Sequence, residues 1–116
     1  MFDYSPQHII TVNRGDSFEL PLFINMGTVL EPIRYELKDG DKIFFAVKEP
    51  RQSFENAIVR KLFTNSDLND EGDVVIKFNT SDTENLLPGI YYYEVKLQFA
   101  NMNINTIITD KKFIII

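Results

Sequence analysis

The sequence predicts an all-β, antiparallel sandwich of about seven strands. Three observations carry that expectation. Apolar residues recur at every second position in several short segments, the period of a half-buried strand. Those segments follow one another at spacings of roughly eight to fifteen residues, separated by turns bearing Gly, Pro, Asn or Asp. Ten Phe and five Tyr with no Trp stand in a chain of 116 residues, among many Ile and Val, and such side chains suit a pleated surface. A chain this long makes one domain, 1–116, burying about two-thirds of its unfolded surface.

Residues 1–7 read as an N-terminal arm broken at Pro6. His8 to Val12 form a short first strand. Asn13-Arg14-Gly15-Asp16 is a turn, with Gly15 supplying an unusual backbone angle and Asp16 capping it. Arg14-Gly15-Asp16 also spells a tripeptide that some integrins recognise, but turn chemistry accounts for all three residues. Ser17 to Asn25 alternate, with Phe18, Leu20, Leu22 and Ile24 on one face and Phe23 on the other. Pro21 lacks a ladder donor, which places this strand at an edge or at a bulge. Residues 26–41 make a long, weakly patterned link that closes on the turn Lys38-Asp39-Gly40-Asp41. Lys42 to Lys48 is a strand with Ile43, Phe45 and Val47 inward. Glu49 to Asn56 is a loop, and Pro50 ends the strand before it. Ala57 to Thr64 is a strand with apolar residues on both faces, Asn65 to Asp73 an acidic connector, and Val74 to Asn79 a strand with Val74, Ile76 and Phe78 inward.

The stretch from Ser81 to Phe99 is the most informative. Ser81 as N-cap with Glu84 three residues on has capping-box spacing, so Ser81 to Leu87 read as a short helical turn. Pro88 and Gly89 end it. Ile90 to Phe99 is the best strand in the chain, with Tyr91, Tyr93, Val95, Leu97 and Phe99 on one face. A helical turn followed by Gly-x-Tyr and a long strand is how strand F opens in immunoglobulin-like sandwiches, where the tyrosine bonds back to the backbone just upstream. Tyr91 is the candidate for that role, with Gly89 beside it. Asn101-Met102-Asn103 is a hairpin turn, Ile104 to Thr109 return along the preceding strand, Asp110-Lys111-Lys112 interrupt, and Phe113 to Ile116 finish as a short strand.

Composition excludes several function classes. The net charge is -5, and Lys and Arg occur at most in pairs, which argues against a nucleic-acid partner. With no cysteine there is no disulfide, thiolate metal site or Cys nucleophile, as expected of a protein made in a reducing cytosol. No basic region precedes an apolar run at the N-terminus, and no run approaches the ~20 apolar residues of a membrane helix, so neither a signal peptide nor a membrane partner is expected.

No set of residues reads as a catalytic, cofactor or metal site. His8 is the single histidine; no Gly-x-Ser-x-Gly elbow accompanies it, and a structural or surface role is expected. Asp67 to Asp73 matches the first half of a calcium loop, but Phe78 stands where the bidentate Glu is needed, so the segment reads as a solvated turn. Asn79-Thr80-Ser81 fits a glycosylation sequon, read as coincidence without a secretion signal. Tyr92, Phe23 and Phe44 point outward and suggest an aromatic strip able to bind a protein partner or sugar rings, unless the arm at Phe2 and Tyr4 or a further layer covers it.

Two segments together carry a family resemblance. One is Val12-Asn13-Arg14-Gly15-Asp16-Ser17-Phe18. The other is Ser81-Asp82-Thr83 with Leu87-Pro88-Gly89-Ile90-Tyr91-Tyr92-Tyr93-Glu94-Val95. In this order, over roughly Thr11 to Ile116, the chain resembles the N-terminal immunoglobulin-like domain of phage baseplate upper proteins and related tail and virion proteins. The resemblance implies a non-enzymatic adaptor that docks on other virion proteins and forms homo-oligomers within a particle assembled in the host cytoplasm. It implies structural roles for Gly15, Asp82, Gly89 and Tyr91, and a docking surface at Phe2, Tyr4, Phe23, Phe44 and Tyr92. With no coiled coil or receptor-binding tip before Ile116, the adaptor part alone is expected. The alternative is a carbohydrate-binding or adhesive module that recognises the host cell surface.

Overall fold

Seven strands form among the described residues, and where each begins and ends follows from alternation and turn chemistry. The computed structural model describes residues 9–25, 27–28 and 30–116. His8 and the arm that carries Phe2 and Tyr4 lie outside them. The strands are β1 (Ile10–Val12), β2 (Phe18–Leu22), β3 (Lys42–Lys48), β4 (Val59–Phe63), β5 (Val74–Phe78), β6 (Gly89–Gln98) and β7 (Ile104–Ile115). A one-turn helix, α1 (Thr80–Thr83), precedes β6.

A five-stranded sheet of order β1-β7-β6-β3-β4 faces a two-stranded sheet, β2-β5. This is the immunoglobulin-like plan, in which the C, F and G strands share one sheet and B and E the other. All pairings are antiparallel except β1 on β7, which is parallel. Pro21 sits in β2, whose only ladder partner among the described residues is β5, so the strand is an edge, where a residue without an N–H is tolerated.

The core lies between the sheets. Ile43, Phe45 and Val47 of β3 and Tyr91, Tyr93, Val95 and Leu97 of β6 meet Leu22, Val74, Ile76 and Phe78, all buried. Phe78 is the hub. Its ring centroid lies 4.7 Å from that of Phe18, 5.5 Å from Phe113 and 5.7 Å from Phe45, so one side chain joins four strands across both layers. Lys61 closes the open side of the sandwich beside β4. Its ammonium lies 5.4 Å from the Phe78 ring centre and 2.6 Å from Asp82 Oδ2.

Two expectations about local structure are corrected. The helical turn is capped two residues earlier than the Ser81–Glu84 spacing suggests. The Asn79 N–H donates to Asp82 Oδ2 at 2.7 Å, and the same oxygen receives Lys61, so the carboxylate that the core edge needs also fixes the cap. Residues 110–112 do not interrupt a strand. β7 runs unbroken from Ile104 to Ile115, with register shifts opposite Tyr93, Val95 and Lys96. Each shift inserts an extra residue in β7, a β-bulge. Ile108 and Phe113 are five positions apart yet both are buried, which simple alternation forbids.

The long link before β3 is held by polar contacts. The Asn25 carboxamide oxygen accepts from the Gly27 and Ile33 N–H groups at 2.8 and 2.9 Å. Asp41 is buried and joins three segments: Tyr35 OH donates to its carboxylate, as do the Lys38 N–H at 3.0 Å and the Ala100 N–H at 3.2 Å. Burial, followed by the bond to Asp41 and its charge, raises the Tyr35 pKa to about 12. Arg34 reaches Asp73 Oδ1 at 3.3 Å, and burial raises the Asp73 pKa despite that cation.

Candidate docking surface

The outward face of the five-stranded sheet carries the side chains that alternation excludes from the core. On β3 these are Phe44, Ala46 and Lys48; on β6 they are Ile90, Tyr92, Glu94, Lys96 and Gln98. The register sets them in rows, Phe44 beside Lys96, Ala46 beside Glu94, and Lys48 beside Tyr92. The middle of this face is buried. Ala46 is 0 % exposed, and Lys48 and Glu94 are 8 % exposed each.

The burial comes from an ion-pair relay and a returning loop. Lys48 Nζ lies 2.9 Å from Glu94 Oε2, and Lys96 Nζ lies 3.7 Å from Glu94 Oε1. Lys96 also stands 4.4 Å from the centre of the Phe54 ring, a cation–π contact. Phe54 opens a single 3-10 turn, Phe54–Asn56, in the loop after β3. The relay therefore pins that loop over the sheet. It divides the face into two openings. One, of about 400 Å³, is a groove lined by Phe44, Phe54, Glu55, Arg60, Lys61 and Leu62. The other, of about 310 Å³, is a cleft lined by Lys48, Glu49, Pro50, Arg51, Gln52 and Tyr92.

The expected aromatic strip of Tyr92, Phe23 and Phe44 is not one strip. Phe44 and Tyr92 share the face but line different openings, with the Ala46–Glu94 row between them. Phe23 follows β2, in the other sheet, and the Arg34 guanidinium carbon stands 5.1 Å from its ring centre. Alternation places Phe23 outward on its own strand but says nothing about which sheet that strand joins. Phe54, not singled out from the sequence, is the aromatic that completes the groove; the signal that could have found it is a lone Phe among polar loop residues.

Four further exposed apolar residues flank the end of the sheet where β6 begins and β7 ends, while Leu30, Ile33, Ile58, Met102 and Ile104 are exposed elsewhere. Ile9, Leu87, Ile90 and Ile116 are each more than half exposed. Ile90 pairs with Ile114, and Ile114 with Thr11 of β1. The structural candidates meet here too. Gly15 has φ +83, the left-handed backbone in which glycine carries no Cβ penalty, and its N–H donates to the buried Thr83 Oγ1 at 2.9 Å. The Tyr91 hydroxyl donates to the Leu87 carbonyl at 2.6 Å, the back-bond of a tyrosine corner. Gly89 makes no steric demand for glycine, because a Cβ there would meet no atom within 4 Å.

Among the described residues no group of three or more His, Cys, Asp or Glu is placed to hold a metal ion. In the acidic connector, Asp67 Oδ2 accepts from the Thr64 N–H, and Asn69 Oδ1 from the Glu71 and Asp73 N–H groups. These oxygens, which a calcium loop would aim at an ion, close turns instead. No helix among them is long and apolar enough to cross a membrane. Compared with protein-family models, curated proteins and solved structures, the chain matches none at a significant level.

Proposed function

We propose that this chain is a non-enzymatic phage structural protein, an adaptor of the tail, baseplate or another part of the virion. It docks on neighbouring subunits, copies of itself included, through the outer surfaces of its sandwich. The observation that carries the reading is the end of the five-stranded sheet where β6 begins and β7 ends: the register sets Ile90 beside Ile114, and Ile9, Leu87 and Ile116 flank that row exposed. Grouped apolar side chains on a surface mark places where another protein packs. Further support comes from the two segments behind the phage resemblance. They form one unit, joined by the Gly15 to Thr83 bond at this same end.

The reading requires association. Light scattering of the purified chain across a concentration series tests it, and a discrete trimer or hexamer is the expected result. A monomer at every concentration, together with no retention on virions of a phage that encodes the chain, overturns it.

A further inference from the structure

We propose that the cleft beside Tyr92 binds an anionic saccharide. This stands apart from the adaptor reading and survives or fails without it. The cleft joins an aromatic ring to a rim of polar and charged groups: Lys48, Glu49, Arg51 and Gln52 line it with Tyr92. In the register of the sheet, Tyr92 lies between Lys48 of β3 and Lys112 of β7. Lys48 is neutralised by Glu94 at 2.9 Å. Arg51 and Lys112, both exposed, leave this corner of an acidic chain locally basic against Glu49.

Arg51 is the telling residue. The Gln52 N–H donates to the Glu49 carbonyl at 3.0 Å, closing a turn with Pro50 and Arg51 at its centre. Arg51 has φ +66, at a turn position that favours glycine. A left-handed backbone is costly for a residue with a Cβ; among the described non-glycine residues Arg51 shares it only with Met102, and backbone strain of this kind clusters at ligand sites. The Gln52 carboxamide oxygen accepts from the Glu49 N–H at 2.9 Å, which leaves its NH₂ to donate.

This set fits a sugar with an acid group. The apolar face of the ring lies on Tyr92, its hydroxyls meet Gln52 and Glu49, and its carboxylate or phosphate meets the Arg51 fork. A peptide strand fits less well. β3 and β6 are both interior strands with partners on either side, so strand addition is closed here. The volume of about 310 Å³ is at the small end for ligand pockets, which span ~300–1,000 Å³.

The test is an NMR titration of the labelled chain with trigalacturonate, galactose 6-phosphate and neutral galactotriose. A carboxylate source answers to the first probe and a phosphate source to the second. At least one anionic probe should bind with a dissociation constant of about 1 mM, and the neutral one about tenfold more weakly. Shifts should centre on residues 48–52 and 92. Arg51→Gly should weaken binding about tenfold and leave the melting temperature unchanged or higher, because glycine suits that backbone. Tyr92→Leu should weaken binding as well. No shift with either anionic probe at ~10 mM, equal binding of the neutral probe, or undiminished binding by Arg51→Gly each overturns the proposal.

Discussion

Tyr91→Phe deletes one hydroxyl and nothing else, and so weighs the tyrosine corner by itself. The ring is 8 % exposed and the hydroxyl donates to the Leu87 carbonyl at 2.6 Å. A net intramolecular hydrogen bond contributes ~0.5–1.5 kcal/mol, more where its loss strands a buried partner. Leu87 is 77 % exposed, so water can take over its carbonyl and the penalty for an orphaned acceptor largely lapses. The expected loss is therefore about 1 kcal/mol. At ~2.1 cal/mol/K of unfolding entropy per residue, a chain of 116 residues loses about 4 °C in Tm for that amount. Calorimetry and urea unfolding measure it, with an unchanged m-value showing that the denatured state is not the cause. Tyr91→Ala should cost ~3–5 kcal/mol, since the buried ring goes too. A Tyr91→Phe variant within ~0.3 kcal/mol of the parent would refute the corner as a stabilising device. A loss near that of Tyr91→Ala would mean that the hydroxyl organises more than one bond.

Three further outcomes follow from the polar and backbone devices. Glu94→Gln removes the carboxylate charge that Lys48 meets at 2.9 Å and should destabilise in urea by up to ~3 kcal/mol, while Lys48→Met with Glu94→Leu together should be near neutral. Gly40→Ala should cost at least ~1–2 kcal/mol from its left-handed backbone alone, because φ is +89 and the new Cβ would also meet the Ala100 Cβ at 2.8 Å. In an ultraviolet titration Tyr35 should ionise above the ordinary tyrosine range, at about 12. Its folded pKa lies above the ordinary value, so its contribution is complete below pH ~10 and is lost as the pH rises through the folded value. Asp41→Ala should return it towards the ordinary range.

The sequence was most legible where one rule acted alone. Lys42 to Lys48 is an apolar run bounded by two lysines, and β3 has those bounds with Ile43, Phe45 and Val47 buried. Tyr91 stood out because a turn, a glycine and a strand define its position together. Where two rules competed, the reading slipped. Asp110-Lys111-Lys112 carries three charges, which looks like a break, yet strand pairing continues through a bulge that alternation cannot represent. Ser81 and Asn79 are both good caps, and the choice was made by Lys61, twenty-one residues away from Asp82 in sequence but 2.6 Å from it in space. The parallel pairing of β1 and the assignment of β2 and β5 to a separate sheet depend on long-range partners that no local pattern encodes. For the same reason the outward strip could not be drawn. Facing outward is a local property, but sharing a face is not.

The docking role rests on the exposed apolar end of the sheet, and the most direct test compares the molar mass of the parent chain with that of an Ile90→Lys variant at equal concentration. Ile90 is 52 % exposed, so lysine there should leave the fold intact while placing a charge in the contact. The account predicts a discrete oligomer for the parent and a monomer for the variant, with Tm changed by no more than ~2 °C. Oligomers of the same molar mass for both proteins would contradict it, as would two monomers of which the parent is also not retained on virions.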